Sequence, residues 1–407
     1  MTFLTKVRQV SITLLLVIVF SLISYNAGKK DGLKLVSNSS GSGAKADLTM
    51  FWDVWSRLEK NYLDKKMIDP KKMVYGAISG MTAALDDPYT SFFPPVENKR
   101  SKEDLSGEFA GVGIQLGFVD KTLAVMAPLP GNPAEKAGIK AGDLIVHIKD
   151  DAKGIDKDTS GINLLDAVDY IRGKKGTSVT LTIYHEKDTK PKEISLVRDT
   201  INVPSVELTW VGKNKNIAQF KVNRFGDKTL EEWDKAVIEF QAKKGIGVVL
   251  DLRNNPGGYL QRAIDLGSEF IADGTIVQQQ GVNQTENFGV DRKGRLIGTP
   301  LVVLVNKGSA SAAEILSGAL QERLGVKLIG EKTFGKGTVQ EVEDLPGGAG
   351  IHITIAKWNL PSGKNIHKEG IEPDIKVEFV TNEKDPKADN QLDKAIETLS
   401  GVITAHK

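Results

Sequence analysis

The chain of 407 residues contains no cysteine, few aromatics (6%) and only five histidines. The first absence excludes disulfides, thiolate metal sites and a cysteine nucleophile together. It leaves the compartment open, because an exported protein can lack disulfides. The histidines (147, 185, 352, 367 and 406) show no metal-ligand spacing, and none stands beside a serine and a carboxylate in a recognisable arrangement. They read as structural or surface residues, and no metal or other cofactor is expected. Excess charge is missing too. Lys and Arg total 54 against 52 Asp and Glu, a net charge of +2, so no bulk electrostatic case for a nucleic-acid partner exists.

Long apolar runs are scarce, with one exception. From Gln9 to Gly28, 20 residues carry no charge, between Arg8 and Lys29. At about 1.5 Å per residue a helix of that length spans roughly the 30 Å hydrocarbon core of a bilayer. Residues 1–30 are therefore expected to be an uncleaved membrane anchor. A cleaved signal segment would carry the same pattern, with Lys6 and Arg8 as its basic start, although Tyr25, Asn26 and Ala27 fit a small-x-small cleavage site poorly. Either reading places the remainder outside the cytoplasm. Residues 31–46, with SNSSGSGAK at 37–45, read as a flexible tether.

The remaining length calls for two or three domains. Residues 47–104 read as helical. Leu48, Phe51, Trp52, Trp55, Leu58 and Tyr62 recur at three- and four-residue steps, and a second periodic stretch, Met73 to Leu85, stops at Asp86-Asp87-Pro88. Residues 105–190 form a smaller unit: FAGVGIQLGF at 109–118, a strand-like LAVMAPL, the turn-rich PGNPAEKAGIKAGDLIVHI, a short helix with Leu164, Leu165, Val168 and Ile171 on one face, and a closing strand from Val179 to Tyr184. This pattern resembles a PDZ domain in the circularly shifted arrangement of bacterial proteases. The resemblance implies that Gly111, Val112, Gly113 and Ile114 form the loop whose N–H groups hold a peptide's terminal carboxylate, beside a strand that pairs with the peptide. Across residues 191–385, apolar strands (GIGVVLDL, PLVVLVN, VKLIGE) alternate with helices, which argues an α/β core with a parallel component. Residues 386–407 read as a short, polar terminal helix and tail.

Chemistry gathers in two short segments. GSASAAE (308–314) puts Ser311 between an apolar strand and a helix that continues to Leu324. Ser311 with Glu314 fits a capping box, and the same position suits a nucleophile, because the next N–H, of Ala312, can face an oxyanion. Ser309 is the competing nucleophile. TFGKGTVQ (333–340) holds Lys336 between two glycines, with Gln340 four residues on. A neutral lysine can activate a serine, provided burial lowers its pKa from near 10.4 to about 7–8. The spacing GEKTFGK also matches a nucleotide-binding loop, but Gly337 stands where the hydroxyl for Mg²⁺ belongs, and TVQEVEDL alternates as a strand, not a helix. In LRNNPGGYL (252–260) a buried strand ends in Gly257-Gly258, either of which can bring a second N–H to an oxyanion.

Together these segments resemble the carboxyl-terminal processing peptidases, or tail-specific proteases, over roughly residues 50–400. ALDDPYTSFFPP (84–95), the PDZ-like unit, LRNNPGG, GSASAAE, GEKTFGKGTVQ and PSGKNIHKEGIEPDI (361–375) occur in the family's order. Departures are small: Tyr259 for an aliphatic residue, Ala313 for a serine, and Trp358-Asn359-Leu360 for a Tyr-containing stretch.

The resemblance implies that Ser311 is the nucleophile, Lys336 the general base and Gln340 its support, with the oxyanion hole built from Ala312 and one of Gly257 and Gly258. The expected function is a serine endopeptidase acting on protein substrates with accessible C-termini. It would be anchored to the inner membrane with its catalytic part periplasmic, or exported as a soluble form if the N-terminal segment is removed. A PDZ scaffold with an inactive core is the alternative. The expected fold is multidomain α/β: a mixed-sheet core, an inserted PDZ domain, an N-terminal helical region and a membrane helix. Arg172, closing the PDZ helix, is expected to bridge the PDZ and protease domains. The terminal helices are candidate homodimer contacts by analogy.

Overall fold

A computed structural model describes residues 46–185, 188–380, 385 and 388–405. The expected membrane anchor, nearly all of the tether, and His406 fall outside these residues. Among the described residues no helix is long and apolar enough to cross a membrane. The chain divides into two compact units, one ending at Val74 and one beginning at Tyr75.

Helix α1 (Thr49–Asn61) lies in the first unit. Its three- and four-residue apolar steps do form a helix, yet none of its residues is buried, and Trp52 and Leu58 stay exposed.

Helix α2 (Pro70–Ala83) ends ahead of Pro88, as the sequence requires. Beyond that stop, the region expected to be helical to residue 104 holds a strand, Ser91–Phe93. Its sequence is aromatic and flanked by Pro88 and Pro94, and it pairs antiparallel with Gly350–His352. Tertiary pairing overrides the local reading here. Helix α3 (Pro95–Ser106) follows, with proline in its first turn and Gly107 at φ +70° closing it.

The PDZ unit is an antiparallel sheet ordered Ile114–Val119, Thr122–Pro128, Leu144–Asp150, Ser178–Tyr184 and Lys192–Val197. The last of these pairs with Ser178–Ile183, so the sheet of the unit extends beyond residue 190. Helices α4 (Pro133–Lys136) and α5 (Leu164–Ile171) cover its core of Leu123, Ile145, Ile148, Ala167, Leu181 and Ile183. A separate two-stranded ribbon, Glu108–Gly111 with Asp199–Asn202, marks both ends of the insertion.

The protease core is a six-stranded sheet ordered Val206–Val211, Ile217–Val222, Gly247–Asp251, Leu301–Val305, Lys327–Gly330 and Ile375–Lys376. Only the first pair is antiparallel; the rest are parallel. The continuous apolar strands are buried on both faces, as parallel strands must be. Val248, Leu250, Val303 and Val305 face helices α6 (Thr229–Ala242), α7 (Leu260–Ser268) and α8 (Ala312–Leu324). Val249, Val302 and Leu304 face the opposite way, onto Ala395 and Leu399 of helix α9 (Asn390–Ala405). Helix α9 is thus longer than expected, and amphipathic instead of polar. A further sheet joins Ser91–Phe93, Gly350–Asn359, Thr275–Gln280 and Thr285–Gly289, with Thr338–Asp344 also paired to Gly350–Asn359.

Candidate active site

Ser311 stands at the joint between strand Leu301–Val305 and helix α8. Its backbone is at φ +54°, ψ −116°, a region a non-glycine residue occupies only when its surroundings hold it there. The capping box is present. Glu314 Oε2 accepts the Ser311 N–H at 2.9 Å, and the Glu314 N–H donates to the Ser311 carbonyl oxygen at 2.8 Å. Ser309, the competing nucleophile, is fully buried and committed: its Oγ donates to the Leu252 carbonyl at 2.8 Å and accepts the Asn306 N–H at 3.0 Å.

The glycine turn after strand Gly247–Asp251 lies against this joint. A Cβ on Gly257 would stand 2.8 Å from Ser311 Cβ, so nothing larger than glycine fits, and Gly257 sits at φ +101°. Asn255, fully buried, ties the two segments. Its Oδ1 accepts the Gly257 N–H at 2.8 Å, its Nδ2 donates to the Val222 carbonyl at 2.7 Å, and its own carbonyl accepts the Ala310 N–H at 2.9 Å. The Gly257 N–H is therefore occupied. The N–H groups of Gly258 and Ala312 donate to no protein acceptor among the described residues.

The lysine loop is bound to helix α8 through one carboxylate. Glu314 Oε1 accepts the Thr333 hydroxyl at 2.6 Å and the Gly335 N–H at 2.7 Å, and Oε2 accepts the Lys336 N–H at 2.9 Å. Burial pushes the Glu314 carboxyl upward, and these donors, with Ser311, oppose it. Because every neighbour is a donor, the charged form is the one the site is built around. Burial pulls the Lys336 ammonium below its ordinary 10.5, with Asp87 and Glu314 opposing. After Lys336 the chain continues as strand Thr338–Asp344, which disposes of the nucleotide-loop resemblance, since that loop needs a helix there.

The structure does not join every expected pair. Lys336 Nζ lies 5.0 Å from the centroid of the Tyr89 ring and makes no hydrogen bond to Ser311 Oγ. Gln340 Nε2 donates to Thr338 Oγ1 at 2.9 Å and Thr354 Oγ1 at 3.2 Å, not to Lys336 or by it. Two histidines read as structural or surface residues flank the lysine instead. Burial and Lys336 both lower His352, and the His367 ring meets Tyr89 edge-on at 6.0 Å. Nothing in the spacing of His352 and His367 announced this, because strand pairing and loop packing bring them in. Among the described residues no group of His, Asp and Glu is arranged to hold a metal ion.

In the PDZ unit, Gly111 ends one strand and Ile114 begins the next, with Val112 buried between them. Gly113 is at φ +76° with its Cα packed on the Asn132 side chain, so only glycine fits. Strand Ile114–Val119 is an edge of its sheet and lies beside α5, and among the described residues its outer hydrogen-bonding side pairs with no other strand. Arg172, just past α5, stacks on Phe109 at 4.0 Å and pairs with Glu103 of α3 at 3.5 Å. A second pair, Arg100 with Asp169, joins the same two helices. The other side of α3 is fastened to the hairpin that follows Lys336, through Lys102 to Asp344 at 2.6 Å and Asn98 to Asp344 at 3.1 Å.

Residues 216–377 match peptidase family S41, and residues 100–184 match the PDZ domain. The carboxy-terminal processing protease CtpA of Bacillus subtilis is 36% identical over 375 residues, which is 92% of this chain and 78% of its own length. The chain belongs to peptidase family S41. A carboxyl-terminal-processing protease of Synechocystis sp. is 37% identical over 87% of this chain and 83% of its own length. Among solved structures, the photosystem II D1 C-terminal processing protease is 28% identical with a TM-score of 0.50, covering 85% of this chain and 95% of that one. This S41 protein is accordingly a serine peptidase of the carboxyl-terminal processing kind, carrying a PDZ domain.

Proposed function

We propose that this S41 peptidase cleaves protein chains by acyl transfer through a Ser311–Lys336 dyad, after its PDZ domain has taken up the substrate's C-terminus. Neutral Lys336 takes the Ser311 hydroxyl proton as Oγ attacks the scissile carbonyl carbon. The N–H groups of Gly258 and Ala312 receive the oxyanion, and the ammonium returns its proton to the leaving amine. Water, activated by the same lysine, then releases the acyl group. Gln340 supports the lysine. The observation that carries the reading is the shared anchor of the two segments: Ser311 and Lys336 both donate a backbone N–H to Glu314 Oε2, at 2.9 Å each. The reaction requires Lys336 Nζ to leave the Tyr89 ring and reach Ser311 Oγ.

The unpaired edge at Ile114–Val119 supports capture of an extended C-terminal segment by strand addition, with the loop Gly111–Ile114 receiving the carboxylate. Arg172 would report that event to the protease core through Glu103 and α3. The apolar run Gln9–Gly28 supports an anchored, periplasmic enzyme. That location is checked by sedimentation with membranes, which the chain starting at residue 46 should not show.

The test of the dyad is casein cleavage by the chain and by Ser311→Ala and Lys336→Ala. Both variants should be inactive, and wild-type cleavage by either would refute the dyad. Because only neutral lysine acts as a base and burial lowers its pKa, the rate should rise with pH through a value below 10.5.

A further inference from the structure

The segment ALDDPYTSFFPP (84–95) folds as a tight turn followed by a strand. We propose that its turn Asp87–Thr90 is a third part of the catalytic site, in which Tyr89 and Asp87 are positioning residues for Lys336 and Gln340. The proposal rests on the dyad reading and extends it.

The turn is rigid for local reasons. Asp87 Oδ1 accepts the Tyr89 N–H at 3.0 Å and Oδ2 accepts the Thr90 hydroxyl at 2.8 Å, an Asx-type closure around Pro88. Thr90, buried, then bolts the turn to the long strand by accepting the Thr354 N–H on its own hydroxyl at 3.0 Å. The next three residues pair with the same strand at His352, Ile351 and Gly350. The turn is therefore fixed on the strand whose other edge carries Thr338–Asp344, the continuation of the lysine loop.

Two contacts run from this platform into the site. The Tyr89 ring presents its face to Lys336 Nζ at 5.0 Å, within cation–π range. A ring face holds the amine by direction without offering an acceptor that would fasten it, so the side chain can still move to Ser311. The second contact is polar. Thr354 Oγ1 accepts Gln340 Nε2 at 3.2 Å, the Thr354 N–H donates to the Thr90 hydroxyl, and that hydroxyl donates to Asp87 Oδ2, so Gln340, Thr354, Thr90 and Asp87 form a chain ending at the turn. Asp87 also faces Lys336 electrostatically. The titratable groups around Lys336 are Tyr89 and Asp87 of the turn, Glu314 of α8, His352 of the long strand and His367 beyond Tyr89.

Casein cleavage by the full chain is followed from about pH 6 to about pH 10, across the range a perturbed lysine titrates. Variants are Tyr89→Ala, Tyr89→Phe and Asp87→Asn, with Ser311→Ala and Lys336→Ala as references. Tyr89→Ala should lower kcat about 10- to 100-fold with little change in KM, the scale of a misplaced catalytic group. Tyr89→Phe keeps the ring face and should recover at least about tenfold of that loss. Asp87→Asn removes a negative charge that favours the ammonium, so the ascending limb of the pH profile should move to lower pH while its plateau drops. Fluorescence-monitored binding of a peptide with a free C-terminus reports that the variants are folded. Wild-type kcat in Tyr89→Ala, equal losses in Tyr89→Phe and Tyr89→Ala, or an unmoved limb in Asp87→Asn would each overturn the proposal. Should Tyr89→Ala fail to fold, the limb in Asp87→Asn decides alone. Active reference variants would instead overturn the dyad itself, whatever the turn variants do.

Discussion

Ser311 and Lys336 hang from a single atom: each donates its backbone N–H to Glu314 Oε2 at 2.9 Å. The carboxylate thus sets the spacing of Ser311 and Lys336, the two residues of the proposed dyad. Glu314→Gln keeps the shape but turns an NH₂ group toward two N–H donors, at about 1–3 kcal/mol for each donor left unsatisfied. It should leave the fold intact by circular dichroism and lower kcat at least about tenfold. A Glu314→Gln enzyme with wild-type kcat would show that the shared anchor is dispensable.

Asn255 performs the matching task for the Gly257-Gly258 turn, the proposed wall of the oxyanion hole. In Asn255→Asp the oxygen facing Gly257 remains, but the group facing the Val222 carbonyl changes from donor to acceptor, and the two repel. The turn should shift away from Ser311. Loss of one oxyanion donor typically costs about 10²–10³ in kcat, so a fall of that order, with KM nearly constant, is expected in steady-state kinetics. A raised KM at unchanged kcat would contradict the assignment.

Part of this site is legible in the sequence. Ser311, Lys336 and the glycine turn each carry a local signature: a strand-to-helix joint, a glycine-flanked lysine, an Asn-Pro-Gly-Gly turn. Helix α8 ends at Gly325, where sequence places its end. What escapes is everything supplied by distant strand pairing. Tyr89 and Asp87 look like turn residues, and only the pairing of Ser91–Phe93 with Gly350–His352 carries them to the lysine. Glu314 is readable as a cap, but its bonds to Thr333, Gly335 and Lys336 depend on how the lysine loop folds back. Helix α9 is amphipathic and not polar because its burial is decided by the second face of a sheet more than 80 residues upstream, at Val302 and Leu304.

The PDZ unit has its own internal constraint. Arg198 and Asp150 are both fully buried and joined at 2.6 Å, and Arg198 also donates to the carbonyls of Ile171, Tyr170 and Ser178. Burial alone would raise the Asp150 pKa, but Arg198 and the Lys153 N–H outweigh it and hold the carboxyl below its ordinary 3.8. A depressed carboxyl contributes stability that is present above its unfolded pKa and lost as pH falls through the folded value. Arg198→Ala leaves Asp150 charged and buried without its guanidinium partner, and should cost about 3–5 kcal/mol in urea denaturation. Arg198→Met combined with Asp150→Leu should recover much of that loss, since apolar replacement of a buried pair is often neutral.

Arg172 and Glu103 pose the opposite case, a pair whose value lies in connection and not in stability. At 3.5 Å and partly exposed, it is worth roughly 0–1 kcal/mol, so Arg172→Ala should barely move a melting curve. Yet, among the described residues, it is one of two ion pairs linking the end of α5, which lies beside the edge strand Ile114–Val119, to α3, whose other side holds Asp344 on the hairpin leading back to Gln340 and Lys336. If peptide capture is reported along α3, Arg172→Ala should slow cleavage of an unstructured substrate several-fold while binding of a free-C-terminal peptide is unchanged. The exchanged pair, Arg172→Glu with Glu103→Arg, should restore part of the rate, whereas Arg172→Glu alone should be worse than Arg172→Ala, because it sets two acidic residues against each other. Equal rates in all four proteins would show that the contact transmits nothing.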